Sequence, residues 1–112
     1  MGSKQIEQIS SIYIYMKIVS YEKSNRKDKK YQVTLDDGKT YHFGLKNSVT
    51  YIEGASKQTR DAFLARHLNN PLEKKLIENL IPSPALFSTY LLWQTPSLEK
   101  NVQILNRMFS KI

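Results

Sequence analysis

The sequence predicts an α+β fold, an antiparallel three-stranded meander followed by three or four packed helices, with Val49–Ile52 as a candidate short fourth strand. Period-two alternation of apolar and polar residues runs through much of residues 11–43. The Asp37-Gly38 step interrupts it where a hairpin must turn. Beyond residue 55 the apolar spacing becomes helical, and Ser and Pro stand where helices begin.

Residues 11–21 are rich in β-branched and aromatic side chains and predict a long first strand. Ile12, Ile14, Met16 and Ile18 share one face of it. Residues 22–30 hold five cations, two acids and no apolar residue, the composition of a solvated connection. Lys30–Leu35 and Thr40–Phe43 flank the turn Asp36-Asp37-Gly38-Lys39, because Asp and Gly tolerate the backbone angles tight hairpins need. Tyr31, Val33 and Leu35 form one face of the hairpin, with Tyr41 and Phe43 on the return strand.

Ser56 predicts the cap of a helix over Lys57–Leu68, which contains no Gly or Pro. Asn69-Asn70-Pro71 ends it and opens a second helix over Leu72–Leu80, with Leu72, Leu76, Ile77 and Leu80 on its apolar face. Ser83-Pro84 starts a third, the most apolar segment, in which Leu91, Leu92 and Trp93 are expected to pack in the core. Ser97 caps a last helix from Leu98 to about Ser110, with Val102, Leu105 and Phe109 inward.

At 112 residues the chain fits one domain, with a β-rich half over 10–54, a helical half over 55–112 and a flexible lead over 1–9. The absence of cysteine excludes disulfides, thiolate metal sites and a Cys nucleophile. No apolar run reaches the length of a membrane span, and Met1-Gly2-Ser3-Lys4 lacks the core of a signal peptide, so the expectation is a protein that is not secreted. Seventeen Lys and Arg against ten Asp and Glu give a net charge of +7, which draws anions to the surface.

The histidines, His42 and His67, fit no zinc spacing, and the acids are scattered along the chain. No Gly-rich phosphate loop is present. Neither a metal, a cofactor nor a catalytic set is therefore expected, although a hydrolase or nuclease using His42 and His67 stands as an alternative if folding joins them. The stronger candidates are basic: Arg26, Lys27, Lys29 and Lys30 in the connection, Lys39 in the turn, Lys46 beyond the hairpin, and Arg60 and Arg66 on the first helix. Gathered on one face beside Tyr31 and Tyr41, they would bind phosphate by counterion release, with tyrosines free to stack on unpaired bases.

The runs Arg26-Lys27-Asp28-Lys29-Lys30-Tyr31, Val33-Thr34-Leu35-Asp36-Asp37-Gly38-Lys39, His42-Phe43-Gly44, Ala65-Arg66-His67 and Leu91-Leu92-Trp93 resemble a family of small proteins of unknown function from large DNA viruses. The resemblance spans roughly residues 24–98, with Pro96 after the Trp as in the family. Val49-Thr50-Tyr51 replaces the family's Asp-Tyr-Thr-like element, and the helix Lys57–Leu68 is less basic than the family pattern. The resemblance implies a virus-encoded protein of the host cytoplasm, nucleus or virion, and transfers no activity. The leading expectation is a non-catalytic module for nucleic acid or an acidic protein surface. A minor virion assembly protein is the other alternative.

Overall fold

The computed structural model describes residues 16–111. The β half precedes the helical half, so the α+β class stands. Strands β1 (Ile18–Lys23), β2 (Lys29–Leu35) and β3 (Thr40–Leu45) form an antiparallel sheet in the order β1-β2-β3. Cross-strand rows run Tyr21–Val33–Tyr41, Glu22–Gln32–His42 and Lys23–Tyr31–Phe43. Val33, Leu35 and Phe43 are buried and Tyr31 and Tyr41 pack beside them, which is the apolar face expected from the alternation.

Residues 11–15 of the long first strand and the lead over 1–9 lie outside the described residues. Within them β1 starts at Ile18 and reaches Lys23, so pairing extends into the charged run and the connection shrinks to residues 24–28. The solvent side of a strand takes charged residues without cost, and composition therefore overestimated the loop. The hairpin turn forms as expected: Gly38 has φ +85° and its N–H donates to the Leu35 carbonyl at 2.9 Å.

The fourth strand at Val49–Ile52 does not form among the described residues. Tyr51–Glu53 is instead a single 3₁₀ turn. Thr50 starts it, with its N–H and hydroxyl donating to Glu53 Oε1 at 3.0 and 2.8 Å. Thr50-Tyr51-Ile52-Glu53 is a capping box, and its reciprocal bonds outcompete the β preference of Val, Thr, Tyr and Ile.

Helix α1 (Lys57–Leu68) is capped by Ser56, whose hydroxyl accepts from the Thr59 N–H at 3.1 Å. Helix α2 (Pro71–Glu78) starts at Pro71 and stops short of the expected Leu80. Leu80 instead takes φ +53°, and the Ile81 N–H returns to the Leu76 carbonyl at 2.9 Å. This closure usually employs glycine; Leu80 bears a conformational cost of roughly 1 kcal/mol and packs against the core.

Helix α3 (Pro84–Phe87) runs directly into a π turn over Ser88–Leu92. Leu86, Phe87, Leu91 and Leu92 are fully buried and Trp93 nearly so, placing this segment at the centre of the core against Tyr41 and Phe43. Helix α4 (Leu98–Phe109) buries Val102, Leu105 and Phe109 as its spacing predicts. It also buries Asn101, whose amide donates to the Leu91 and Thr95 carbonyls and accepts from the Thr95 N–H and hydroxyl. Asn106 on the same helix accepts from the Ile18 N–H at 2.8 Å and donates to the Ile18 carbonyl at 3.1 Å. Its side chain thereby satisfies the start of β1 much as a neighbouring strand would.

Candidate anion-binding cleft

A cleft of about 570 Å³ opens between the end of β3, the segment after it, α1 and the start of α3. Its first wall depends on Gly44, whose φ of +81° suits glycine. A Cβ at this position would sit 2.8 Å from Leu92 Cδ1 and 3.2 Å from Lys30 Cβ. The Lys30 stem lies over the vacant side, and its ammonium reaches the Lys46 carbonyl at 3.1 Å and the Glu53 carboxylate at 3.0 Å. Lys30 thus ties the segment 46–53 to the sheet.

The Lys30 side chain is only 8% exposed, so this ion pair is largely sheltered on the lysine side. Burial pushes the Glu53 carboxyl up, but the Thr50 hydroxyl and N–H and the Lys30 ammonium outweigh it and hold the group below its ordinary range.

The opposite wall is α1, whose spacing sets Phe63, Arg66 and His67 toward the cleft. Phe63 stacks on Trp93 at 4.3 Å between centroids, and His67 lies 4.1 Å from Phe63 on the same helix. His67 Nδ1 is hydrogen-bonded to Glu73 Oε2 at 2.9 Å, joining α1 to α2. Arg60 fastens the helix from behind: its guanidinium donates to the Trp93 and Gln94 carbonyls at 2.9 and 3.2 Å, pairs with Asp61 and lies over the Tyr51 ring. Arg66 is exposed, with its guanidinium 5.9 Å from the centre of the Phe63 ring.

The structure divides the predicted basic residues into three groups. Lys30 and Arg60 are engaged in internal contacts and do not present free charge. Lys39 sits in the hairpin turn, at the opposite end of the sheet from the β1–β2 connection; β2 spans seven residues, or roughly 20 Å. Arg26, Lys27, Lys29 and Lys46 share the other end. The Lys46 N–H donates to the Asp28 carbonyl at 3.2 Å, and Lys29 pairs with Leu45 across the sheet and lines the cleft with Arg66. Among the described residues none of these five cations has a carboxylate within 4.0 Å.

His42 and His67 are not brought together. Tyr41 and Phe43 both pack against Phe87, so alternation turns His42 to the other side of the sheet, where it hydrogen-bonds the Ser24 hydroxyl at 2.8 Å. Tyr31 and Tyr41 pack toward the core instead of flanking free cations. Among the described residues no group of three or more potential metal ligands gathers.

Sequence reasoning did not find the cleft, the aromatic stack, or the pairing of His67 with Glu73. The stack was partly legible, because Phe63 and His67 stand four residues apart on one helix. Its partner Trp93 lies thirty residues beyond Phe63, and only the packing of α1 on the π turn unites them.

Residues 19–67 match a family model described as "Family of unknown function (DUF5754)". The matched stretch runs from β1 to His67, including Lys29, Gly44, Glu53 and Arg66 but neither Glu73 nor Trp93. No curated protein matches the chain. No solved structure matches it either.

Proposed function

We propose that this chain is a non-catalytic, virus-encoded module that binds nucleic acid, or another polyanion, at the end of its sheet beside the cleft. The observation that carries this reading is the grouping of Arg26, Lys27, Lys29 and Lys46 near Arg66, none of them neutralised by a carboxylate among the described residues. Its viral origin rests on the motif resemblance alone. Such a patch gains affinity by releasing counterions from phosphates, with little preference among bases.

Five phosphate contacts on a single strand correspond to a slope of log K on log salt of about −3.5. Affinity then drops on the order of 100-fold between about 50 and 200 mM salt. Fluorescence anisotropy with a labelled oligonucleotide measures that slope. Lys46→Gln is expected to lower its magnitude by about 0.7, whereas Lys39→Gln, at the distant turn, leaves it unchanged. A flat salt response, or equal effects of the two substitutions, refutes the reading.

A second reading, assembly through protein contacts in a virion or an infected cell, is favoured by Leu45, Val49 and Leu72, apolar side chains that stand exposed. It predicts self-association or partner capture that survives high salt and is lost in Leu45→Lys.

A further inference from the structure

Trp93, Phe63 and His67 form a short column of ring contacts, stacked at the first step and tilted at the second. Trp93 lies 4.3 Å from Phe63 with 12° between the planes, and His67 lies 4.1 Å away at 35°. Phe63 is the middle ring, nearly parallel to Trp93 and tilted against His67. All three rings line the cleft, Trp93 buried in its floor and His67 with 26% of its side chain exposed. Glu73 holds the imidazole at Nδ1 and fixes its orientation. Arg66 adjoins it in sequence, and Lys29 lines the same cleft.

We infer that His67 is a stacking platform for one unpaired base, so that the cleft receives a single nucleotide of a single-stranded nucleic acid, its phosphates set against Arg66 and Lys29. This inference rests on the polyanion reading and narrows it from any phosphate chain to one with exposed base faces. The cavity of about 570 Å³ lies within the ~300–1,000 Å³ typical of small-ligand sites. Its apolar lining, including Leu92, Ala62 and Ala85, suits a planar ring better than a hydrated phosphate. An acidic peptide would satisfy the cations but brings no base to extend the column, and a duplex keeps its base faces covered. Stacking on an aromatic ring tolerates every base, which agrees with a site that offers no dense set of base-edge contacts.

The test uses the intact chain and three probes: a short thymidine oligonucleotide, the same backbone made abasic, and the corresponding duplex. Anisotropy gives the affinities, and the fluorescence of Trp93, the single tryptophan, reports on the column. The oligonucleotide with bases is expected to bind on the order of ten-fold more tightly than the abasic backbone, and to perturb Trp93 emission. His67→Ala should abolish that ratio while keeping the salt slope, and His67→Phe should restore it. Circular dichroism of both variants establishes that they fold. If the abasic backbone binds as well as the oligonucleotide, or His67→Ala keeps the ratio, base stacking is wrong and the polyanion reading survives. If none of the three probes binds, both fall.

Discussion

The clasp between Lys30 and Glu53 makes an asymmetric prediction. Replacing Glu53 by Ala leaves an ammonium in a side chain only 8% exposed, with the Lys46 carbonyl as its remaining hydrogen-bond partner. That uncompensated charge costs roughly 1–3 kcal/mol, and loss of the Thr50 cap adds about 1 kcal/mol. Replacing Lys30 by Met keeps the stem over Gly44 and removes the sheltered charge. Glu53, whose side chain is 36% exposed, still accepts from Thr50 and reaches water, so the pair's own contribution is screened to about 1 kcal/mol. Glu53→Ala should therefore destabilise by roughly 2–4 kcal/mol and Lys30→Met by about 1 kcal/mol or less. Urea titrations followed by far-UV circular dichroism compare the midpoints, and the double variant should be more stable than Glu53→Ala alone. If Lys30→Met costs as much as Glu53→Ala, or the double variant is the least stable of the three, the shelter argued for the ammonium is wrong.

The same carboxylate gives a pH dependence. Its folded pKa lies below the unfolded one, so its stabilisation is present above the unfolded value and vanishes as pH falls through the folded value. Urea midpoints measured from neutral pH down to about pH 3 should decline less steeply in Lys30→Met than in the unmodified chain, because Lys30 is one cause of the depression. Gly44→Ala combines a positive φ with a 2.8 Å approach to Leu92 and should cost about 1–3 kcal/mol in urea titration. Asn101→Ala opens four hydrogen bonds at a fully buried position; a loss of roughly 2–4 kcal/mol is expected, with the thermal midpoint as readout. Thr89 buries a hydroxyl without a hydrogen-bond partner among the described residues, so Thr89→Val should be neutral or stabilise by about 1 kcal/mol in the same assay.

Much of the architecture was legible because local and tertiary demands agree. Val33, Leu35, Phe43, Val102, Leu105 and Phe109 sit at the periods of their elements, and all are buried. Ser56, Ser83 and Ser97 cap the helices that their positions predict. Thr50-Tyr51-Ile52-Glu53 misled because its β-branched and aromatic residues advertise a strand, although the Thr and Glu three apart already specify a capped turn. The π turn has no comparable local signal; it coincides with the three consecutive buried residues Leu91, Leu92 and Trp93, a demand set by surrounding elements. The site was legible mainly as charge, with His67 singled out only for a catalytic alternative beside His42. Composition and clustering found Lys29 and Arg66, but counted Lys30 and Arg60 equally. Whether a cation faces solvent or spans two segments depends on partners such as Glu53 and Trp93 that lie 23 and 33 residues away.

The amide of Asn106 has a consequence for how the molecule assembles. During synthesis Ile18 leaves the ribosome 88 residues before the group that occupies its N–H and carbonyl. The hairpin of β2 and β3 can close from neighbours alone, but the N–H and carbonyl of Ile18 find this partner only when α4 docks. Asn106→Ala would accordingly be felt first at the far margin of the sheet, as faster amide hydrogen exchange around Ile18, while Leu105 and Phe109 still hold α4 in the core.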